Sequence, residues 1–348
     1  MAIQRRMMGG LAVLAATALL AACGASTMPA GSAPVTSDIP DPNGTLAQEA
    51  KKEGSVVWYA PTLGNIKAIQ AAFQELYGIP VNAVTQPSVQ LEARFQAESE
   101  SGKQGGDVLT AGYDGFFAES LEKGWTTPLK EALSDFPGSY PAAFLKDDGG
   151  TAITFTAPVS VAYNTKEVTE ADIPTSWEDL AKPYWAGKII SVDPNASIAY
   201  LQLWDAILDK YGEDKVRAIG KNIKRTYATA PAELQALTSG EGTLALFSSA
   251  GLTQPLIDQG APVANKIFDY TTGSNFAIAL ASKGPHPSAG KLFAQWLLSK
   301  GGQQKVVELA RNSAPLVPGT MPASYAEPNI HAADTRAKIN ELLGVSAG

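Results

Sequence analysis

Polar and aromatic side chains follow several strand-like segments of the chain, at points where a helical pattern begins. They are Tyr59 and Thr62 after the first segment, Ser88 after the second, and Asn195 with Ser197 after a segment in the second half. In an open α/β sheet such loops lie outside the carboxyl ends of the strands, where helix N-termini present unpaired N–H groups and partial positive charge. The pattern predicts a site for a polar or anionic ligand. Ser88 and Ser197 are also typical N-cap residues, each worth about 1 kcal/mol of helix stability.

Three further residues complete the predicted ligand-binding set because they too lie near the ends of strand-like segments. They are Tyr113, Ser249 and Tyr270. Aromatic faces attract cations. A cationic amine held by Tyr59, Tyr113 and Asp114 is therefore an alternative to an anionic ligand.

Catalytic arrangements are missing from the sequence. The chain has none of the motifs of nucleotide-binding loops, α/β-hydrolase nucleophiles or zinc proteases. Its single cysteine, Cys23, cannot form an internal disulfide, and no Cys/His cluster offers a zinc site. Of the two histidines, His286 lies between prolines at a predicted helix start and His331 lies in a polar C-terminal segment, so neither offers the buried orienting partner of a general base. The sequence predicts no enzyme, no catalytic residue, no metal site and no cofactor.

The beginning of the chain carries a targeting pattern. Residues 1–22 have the order of a secretory signal, with two arginines before an apolar run over 11–20 that is shorter than the about 20 residues of a membrane-spanning helix. The Leu-Ala-Ala-Cys sequence ending at Cys23 resembles a bacterial lipobox, in which the cysteine becomes the lipid-modified N-terminus. We therefore predict a lipid anchor on Cys23 at the extracytoplasmic face of the cell membrane, periplasmic or cell-surface. Residues 23–46 are predicted to be a flexible tether, because small and polar residues predominate there.

Composition limits the classes of partner. The chain has 348 residues, of which 45% are hydrophobic and 18% are charged. Length divided by about 150 predicts roughly two domains, each large enough to bury its own core. The formal net charge is −7 and no Lys/Arg-rich run occurs, which argues against nucleic-acid partners.

Short apolar strands alternate with amphipathic helices along the chain. A buried strand is predicted over 54–60 and a helix over 65–76, and the same alternation continues to residue 122. A second set begins after 151 and ends with a helix over 287–298. This alternation predicts an α/β fold with helices on both faces of the sheet.

Several sequence blocks occur together in an order that is similar to one known family. They include Pro-Val-Ser-Val-Ala-Tyr-Asn at 158–164, Pro-Thr-Ser-Trp-Glu-Asp-Leu at 174–180, Pro-His-Pro-Ser-Ala-Gly-Lys-Leu-Phe at 285–293 and Trp-Leu-Leu-Ser-Lys at 296–300. Over residues 54–318 the chain resembles the bacterial extracellular solute-binding proteins of ABC importers. The group it resembles contains ferric-ion, thiamine, polyamine and phosphonate binders.

The resemblance implies a two-lobed fold of the type II periplasmic-binding-protein kind, with a hinge between the lobes. Lobe one would cover 47–155 and 271–348, including a C-terminal tail, and lobe two would cover 156–270. The crossings would fall near 153–163 and 268–281. The implied function is capture of a small molecule in the interlobe cleft by hinge closure, in a monomer that serves ABC permease subunits. A sensor subunit that presents its ligand to a signalling partner, and an enzyme on the same fold, are the alternatives.

One departure from the family bears on the ligand. Ferric-ion members resemble one another in a pair of adjacent tyrosines from the second lobe, whereas the matching segment here reads Phe247-Ser-Ser249 and the chain has no Tyr-Tyr pair. Fe(III) prefers phenolate or carboxylate oxygen, and serine hydroxyls are poor substitutes. We therefore expect a small polar organic anion or zwitterion, phosphonate- or carboxylate-like, ahead of ferric ion, a polyamine or thiamine.

Overall fold

The computed structural model describes residues 39–61, 65–134, 136–329 and 331–346. The predicted signal segment, Cys23 and Thr62 lie outside the described residues. Within the described ranges, no helix combines the length and the apolar character needed to cross a membrane.

The strands follow the predicted alternation. In the described residues they are β1 (Val56–Pro61), β2 (Val81–Gln86), β3 (Val108–Gly112), β4 (Thr126–Thr127), β5 (Leu145–Lys146), β6 (Thr151–Pro158), β7 (Ser160–Asn164), β8 (Ile189–Val192), β9 (Ile223–Tyr227), β10 (Leu244–Ser248), β11 (Val263–Lys266), β12 (Tyr270–Thr271), β13 (Gly273–Ala281) and β14 (Ser324–Tyr325). The apolar runs in the sequence do not predict β9, β11 or the two-residue strands, because these are short or largely polar.

The helices lie between these strands and after them. They are α1 (Thr45–Glu53), α2 (Ile66–Tyr77), α3 (Ser88–Ser101), α4 (Gly115–Glu122), α5 (Leu129–Ala132), α6 (Trp177–Leu180), α7 (Ile198–Tyr211), α8 (Glu213–Asn222), α9 (Ala230–Thr238), α10 (Ala250–Asp258), α11 (Pro287–Leu298), α12 (Lys300–Ala310) and α13 (Arg336–Leu343). The sequence does not predict helix α10, because Pro255, ordinarily a helix breaker, lies inside it.

Two large sheets organise most of these elements, and β12 and β14 pair as a third, two-stranded sheet. The first has the strand order β2-β1-β3-β13-β6-β5 with β4 on β13, and the second has the order β11-β7-β10-β8-β9. Strands β1, β2 and β3 are parallel to one another, as are β8, β9 and β10. Parallel neighbours need long crossover connections. Helices α2 and α3 supply them in the first sheet, and α7, α8 and α9 supply them in the second.

Each sheet has its own aromatic core, so we describe the molecule as lobe one around the first sheet and lobe two around the second. In lobe one the Phe293 ring centroid lies 5.2 Å from that of Trp58 and 5.0 Å from that of Phe73. In lobe two the Trp177 and Phe268 centroids lie 5.2 Å apart, edge to face. All five side chains are at most 2% exposed. Burying each stabilises its lobe by about 1.5–3 kcal/mol.

The chain passes between the lobes three times, at neighbouring points. It crosses from β6 to β7 at Val159, from β12 to β13 at Thr272, and again after β14 at Ala326. The Val159 N–H donates to the Thr272 carbonyl at 2.8 Å, and the Ala326 N–H donates to the Thr271 carbonyl at 2.8 Å. The first two crossings lie within the predicted stretches, and the third was not predicted.

The tether predicted over 23–46 is wrong for residues 39–46. Ile39 and Leu46 pack against the core of lobe one. The Tyr77 hydroxyl donates to the Pro40 carbonyl at 2.8 Å. Two bulky apolar side chains are enough to fasten this short stretch to the domain, although small and polar residues surround them.

The C-terminal tail, predicted to follow the second part of lobe one, belongs to lobe two. Ala332, Ile339 and Leu342 are at most 3% exposed and lie in the lobe-two core. The Asn329 side chain donates to Asp205 of α7 at 2.9 Å. The chain therefore returns to lobe two after the third crossing, which makes the hinge three-stranded.

Gly273 gives a test of the hinge packing. A Cβ at this position would lie 2.7 Å from the Pro158 Cα and closer still to the Ala157 carbonyl, so the two crossings would have to move apart. Gly273→Ala should lower the free energy of unfolding by about 1–3 kcal/mol, measured by urea unfolding. Gly115→Ala is the matched control, because the added Cβ meets no atom within 4 Å. A G273A protein as stable as the wild type would contradict the packing described here.

Candidate functional site

The parallel strands of both lobes end at the hinge. In lobe one, Gly273 at the start of β13 pairs with Pro158 at the end of β6, and β13 is antiparallel to both β6 and β3. In lobe two, Ser248 at the end of β10 pairs with Ser160 at the start of β7. The loops that follow β1, β2, β3, β8, β9 and β10 therefore lie on either side of the hinge. We call the region between them the interlobe cleft.

Helix N-termini converge on the interlobe cleft from both lobes. Helices α2, α3 and α4 begin there in lobe one, and α7, α9 and α10 begin there in lobe two. The first turns of α7 and α10 contain no acidic residue. Ser249 precedes α10, and its side chain makes no cap hydrogen bond to the first-turn N–H groups of that helix. Ser249 therefore stays a predicted ligand-binding residue.

The two lobes also touch beside α10. A Cβ added at Gly251, in the first turn of that helix, would lie 3.4 Å from the carbonyl oxygen of Ala310 in α12 of lobe one. The side chain of Asn65, which caps α2, donates to the neighbouring Leu309 carbonyl at 2.7 Å. The ends of α2, α10 and α12 are thus neighbours at the cleft.

Ser88 joins a helix to a strand at the cleft. It is the first residue of α3, which Pro87 precedes in the N-cap position, so the N-cap interpretation of Ser88 is wrong. The Ser88 hydroxyl accepts the N–H of Gly112, the last residue of β3, at 2.9 Å. This hydrogen bond connects the cleft ends of α3 and β3. Ligand contact by Ser88 stays a prediction.

Tyr59 lies in the core of lobe one, which corrects its assignment as a ligand-binding residue. It is 0% exposed, and its hydroxyl donates to the Glu98 carboxylate at 2.7 Å. The Arg94 guanidinium lies 4.9 Å from the ring centroid. Burial raises the pKa of Tyr59, and the negative charge of Glu98 adds to the rise. Side chains alternate along a strand, and position 59 points toward the face that α3 covers.

Tyr113, which follows β3, is also engaged within lobe one. Its hydroxyl donates to Asp147 at 3.2 Å, and the Lys146 ammonium lies 5.7 Å from its ring centroid. Burial, followed by the charge of Asp147, raises the pKa of Tyr113 to about 12. The phenol therefore stays protonated at neutral pH. Its role in ligand binding stays a prediction, as a hydrogen-bonding group and not as a phenolate.

In the loop between β8 and α7, the structure confirms one predicted N-cap and corrects one predicted ligand-binding residue. The Ser197 hydroxyl accepts the Ala199 N–H at 3.3 Å, so its N-cap interpretation is confirmed. The Asn195 amide exchanges hydrogen bonds with the Asn340 amide of α13, at 3.0 and 3.2 Å. Asn195 therefore fastens the C-terminal helix to lobe two, and we remove it from the ligand-binding set.

The assignment of Tyr270 as a ligand-binding residue is also corrected. Its hydroxyl donates to the Ala206 carbonyl of α7 at 3.0 Å, and its ring packs edge to face on Tyr211 with the centroids 5.8 Å apart. The Lys210 ammonium lies 5.4 Å from the ring centroid. These contacts bind the ring to α7, so Tyr270 supports lobe two beside the hinge instead of reaching into the cleft.

Glu92 is a candidate that the sequence analysis missed. It lies on α3 one turn after Ser88, is 8% exposed, and its Oε1 has no hydrogen-bond partner among the described residues. Burial raises the pKa of Glu92 to about 7, and the negative charge of Asp114, the N-cap of α4, adds to the rise. Burial also raises the pKa of Asp114. The helical period places Glu92 beside the polar residues of α3, so its burial is not evident from the sequence.

His286 has a structural role away from the cleft. Its Nδ1 lies 2.9 Å from the Asp107 carboxylate just before β3, and its Nε2 lies 3.5 Å from the Ser55 hydroxyl. Asp107 is 1% exposed, so the expectation that His286 lacks a buried orienting partner is wrong, and this order of groups is similar to a hydrolase triad. However, the first-turn amides of α11, the nearest helix N-terminus, already donate to the Glu53 carboxylate at 3.0 and 2.8 Å. Those amides are therefore not free to hold an oxyanion.

Comparison with known proteins identifies related sequences. Residues 106–250 match the family model described as bacterial extracellular solute-binding protein. The chain is 25% identical over 261 residues to iron uptake protein A2 of Synechocystis sp., covering 69% of this chain and 72% of that protein. The matched family segment runs from the start of β3 to the start of α10, so it includes cleft loops of both lobes.

Solved structures share the fold. The TM-score is 0.63 with the substrate-binding protein of an ABC transporter from Agrobacterium tumefaciens, at 17% identity, covering 83% of this chain and 94% of that one. The TM-score is 0.57 with the periplasmic binding protein AfuA from Actinobacillus pleuropneumoniae, bound to fructose-6-phosphate, at 17% identity, covering 84% and 99%. The prediction of a two-lobed fold of the type II periplasmic-binding-protein kind is confirmed.

Glu92 makes the stability of the protein depend on pH. Its carboxyl has a pKa of about 7 when folded, against an ordinary value of 4.5, so the folded state binds more protons between these values. The free energy of unfolding therefore falls as the pH rises through this range. Glu92→Gln should be more stable than the wild type at pH 8 by about 1–3 kcal/mol, with a smaller difference at pH 5, in urea unfolding.

The exposed Glu100, near the other end of α3, provides the control. Glu100→Gln should keep the wild-type dependence of stability on pH. If the E92Q and wild-type curves ran parallel from pH 5 to pH 8, the Glu92 carboxyl would not be buried as described.

Proposed function

We propose that this chain is a bacterial extracellular solute-binding protein that captures a small polar organic anion or zwitterion in the interlobe cleft, as the substrate-binding component of an ABC importer. A phosphonate- or carboxylate-bearing compound suits the site best. The observation that carries this choice is the N-terminus of α10. It begins at the cleft, has no acidic residue in its first turn, and has no cap hydrogen bond from Ser249. Partial positive charge at such an end favours a negative group.

Hinge closure is the proposed working motion. The lobes are joined by three neighbouring crossings, which permit rotation about the hinge while each lobe keeps its own core. A solute that contacts the loops of both lobes binds the closed form better than the open form, and therefore shifts the population toward closure. The permease then distinguishes the closed, loaded protein from the open one.

Ferric ion is the second candidate, because the Synechocystis relative is named for iron uptake. The side chains at the cleft suit ferric ion less well than they suit an organic solute. Ser248 ends β10 and Ser249 follows it, and the Tyr113 hydroxyl is already bonded to Asp147. Among the residues that the structure describes, no group of three or more His, Cys, Asp or Glu side chains is placed to hold a metal ion. Since Fe(III) prefers phenolate and carboxylate oxygen, we rank an organic solute first.

We further propose that the protein works as a monomer attached to the membrane by a lipid on Cys23. Residues 24–38 would then link the lipid to lobe one. The support is the lipobox-like sequence that ends at Cys23 and the small, polar composition of the link. An anchor of this kind keeps the solute-binding protein beside its permease.

The solute class can be identified by thermal shift on the chain from residue 24 onward. Phosphonates, carboxylates, sugar phosphates, polyamines, thiamine and ferric salts form the panel. A solute at 100 times its dissociation constant should stabilise the fold by about 2.7 kcal/mol and so raise Tm. We expect the rise with an organic anion or zwitterion, together with a smaller radius of gyration in small-angle X-ray scattering as the lobes close.

Two variants of α10 locate the binding. Ala250→Glu places a negative charge in its first turn and should weaken binding of the responding solute at least tenfold, about 1.4 kcal/mol. Gln259→Glu, at the other end of the helix, adds the same charge away from the cleft and should leave the affinity unchanged. A rise in Tm with ferric salts alone would overturn the choice of an organic solute.

The lipid anchor has its own test. Full-length protein expressed in a bacterial host should incorporate labelled fatty acid and sediment with membranes. Cys23→Ala should lose the label, because no other cysteine is present in the chain. Cys23→Ser, which keeps the size of the side chain but removes the thiol, should lose the label as well. A wild-type protein without label would contradict the proposed anchor.

A further inference from the structure

An unpaired carboxylate lies at the cleft in lobe one. Glu92 is 8% exposed, and its Oε1 is buried without a hydrogen-bond partner among the described residues. The Oε1 of Gln86, the last residue of β2, is likewise buried and unpartnered there. A buried polar atom without a partner destabilises the folded protein. A hydrogen-bond donor from outside the described residues would therefore stabilise these two acceptor atoms near the start of α3.

Negative charge near Glu92 further disfavours its ionised carboxylate when no cation is bound. Asp114, the N-cap of α4, accepts the Phe116 N–H at 2.9 Å, and its negative charge acts on Glu92. The nearest arginine on the same helix, Arg94, is already paired with Glu98 at 2.8 Å. The Ser88–Gly112 hydrogen bond and the contact of the Phe95 and Phe116 rings, with centroids 6.2 Å apart, bring α3 beside the start of α4, so the two carboxylates belong to neighbouring helices. We call Gln86, Glu92 and Asp114 together the acidic subsite.

We propose, on the basis of the solute-binding function above, that the acidic subsite takes the positively charged nitrogen of the solute. The solute is then a zwitterion, with its ammonium or guanidinium group against lobe one and its anionic group at the α10 N-terminus of lobe two. A cation in the acidic subsite pairs with both carboxylates and donates to the unpartnered oxygens. The two lobes therefore recognise opposite charges, and only a molecule that carries both satisfies the closed cleft.

The acidic subsite also explains selectivity by charge. An anion without a nitrogen would leave Glu92 unpaired when the cleft closes and would approach two carboxylates of its own sign. Such a ligand loses the attraction of lobe one and gains a repulsion. A dication without an anionic group would leave the first-turn amides of α10 unoccupied. A zwitterion avoids both penalties.

Matched pairs of compounds that differ only in the ammonium group test the proposal. We would measure affinities by isothermal titration at pH 8, with 2-aminoethylphosphonate against ethylphosphonate, β-alanine against propionate, and 4-aminobutyrate against butyrate. In at least one pair the zwitterion should bind at least tenfold more tightly than the anion. 1,4-Diaminobutane is the dication probe and should bind more weakly than that zwitterion.

Variants at Glu92 assign the preference to the acidic subsite. Glu92→Gln should lower the affinity for the zwitterion at least tenfold and should leave that for the anion unchanged or raise it, because a repelling charge is removed. Asp114→Asn should act in the same direction, which gives a second test if E92Q folds poorly. Glu100→Gln, on the same helix but away from the cleft, should bind as the wild type does.

The outcomes separate this proposal from the solute-binding function. If both members of every pair bind equally, or if E92Q weakens both alike, the acidic subsite is overturned while the binding function stands. If no anion or zwitterion binds and ferric salts do, the proposed organic solute fails, and the acidic subsite fails with it. Tight binding of the diamine that E92Q abolishes would support the acidic subsite and overturn the zwitterion.

Discussion

The hydrogen bonds between neighbouring chain crossings at the hinge are the constraint on which the rest of the structure depends. The Val159 N–H meets the Thr272 carbonyl and the Ala326 N–H meets the Thr271 carbonyl, each at 2.8 Å. Because these bonds hold the crossings side by side, they determine where each sheet begins and on which side its parallel strands end. A cleft between two sets of helix N-termini follows directly from that arrangement. The close approach at Gly273 is part of the same packing.

Helix N-termini and buried carboxylates occur on both sides of the cleft. In lobe one, α2 and α3 begin without an acidic residue in the first turn, and in lobe two Glu233 is buried in the first turn of α9. Lobe two offers the starts of α7 and α10 without an acidic residue in either first turn. Lobe one contributes Glu92, whose pKa burial raises to about 7, and the neighbouring Asp114. In the proposed mechanism, the anionic group meets α10 of lobe two and the cationic group meets Glu92 of lobe one, so a molecule that carries both charges is held only when the lobes close.

Several candidate residues turned out to support the lobes instead of lining the cleft. Tyr59 bonds to Glu98, Asn195 bonds to Asn340, and Tyr270 bonds to the Ala206 carbonyl. In each case the partner is at least 39 residues away along the chain. A pattern of residue types at strand ends predicts which positions are near a cleft, but long-range partners decide where each side chain points.

The sequence by itself determined the alternation of strands and helices, the division into two sheets implied by the family resemblance, and the positions of the first two crossings. These follow from local hydrophobic periodicity and from sequence blocks that stay together. Only the tertiary structure decided that the C-terminal segment returns to lobe two, that residues 39–46 pack on lobe one, and that Glu92 is buried. The physical reason is that burial and pairing depend on which distant elements pack together. A glutamate that the helical period places on the polar side of α3 is in this way buried, with one oxygen that has no hydrogen-bond partner among the described residues.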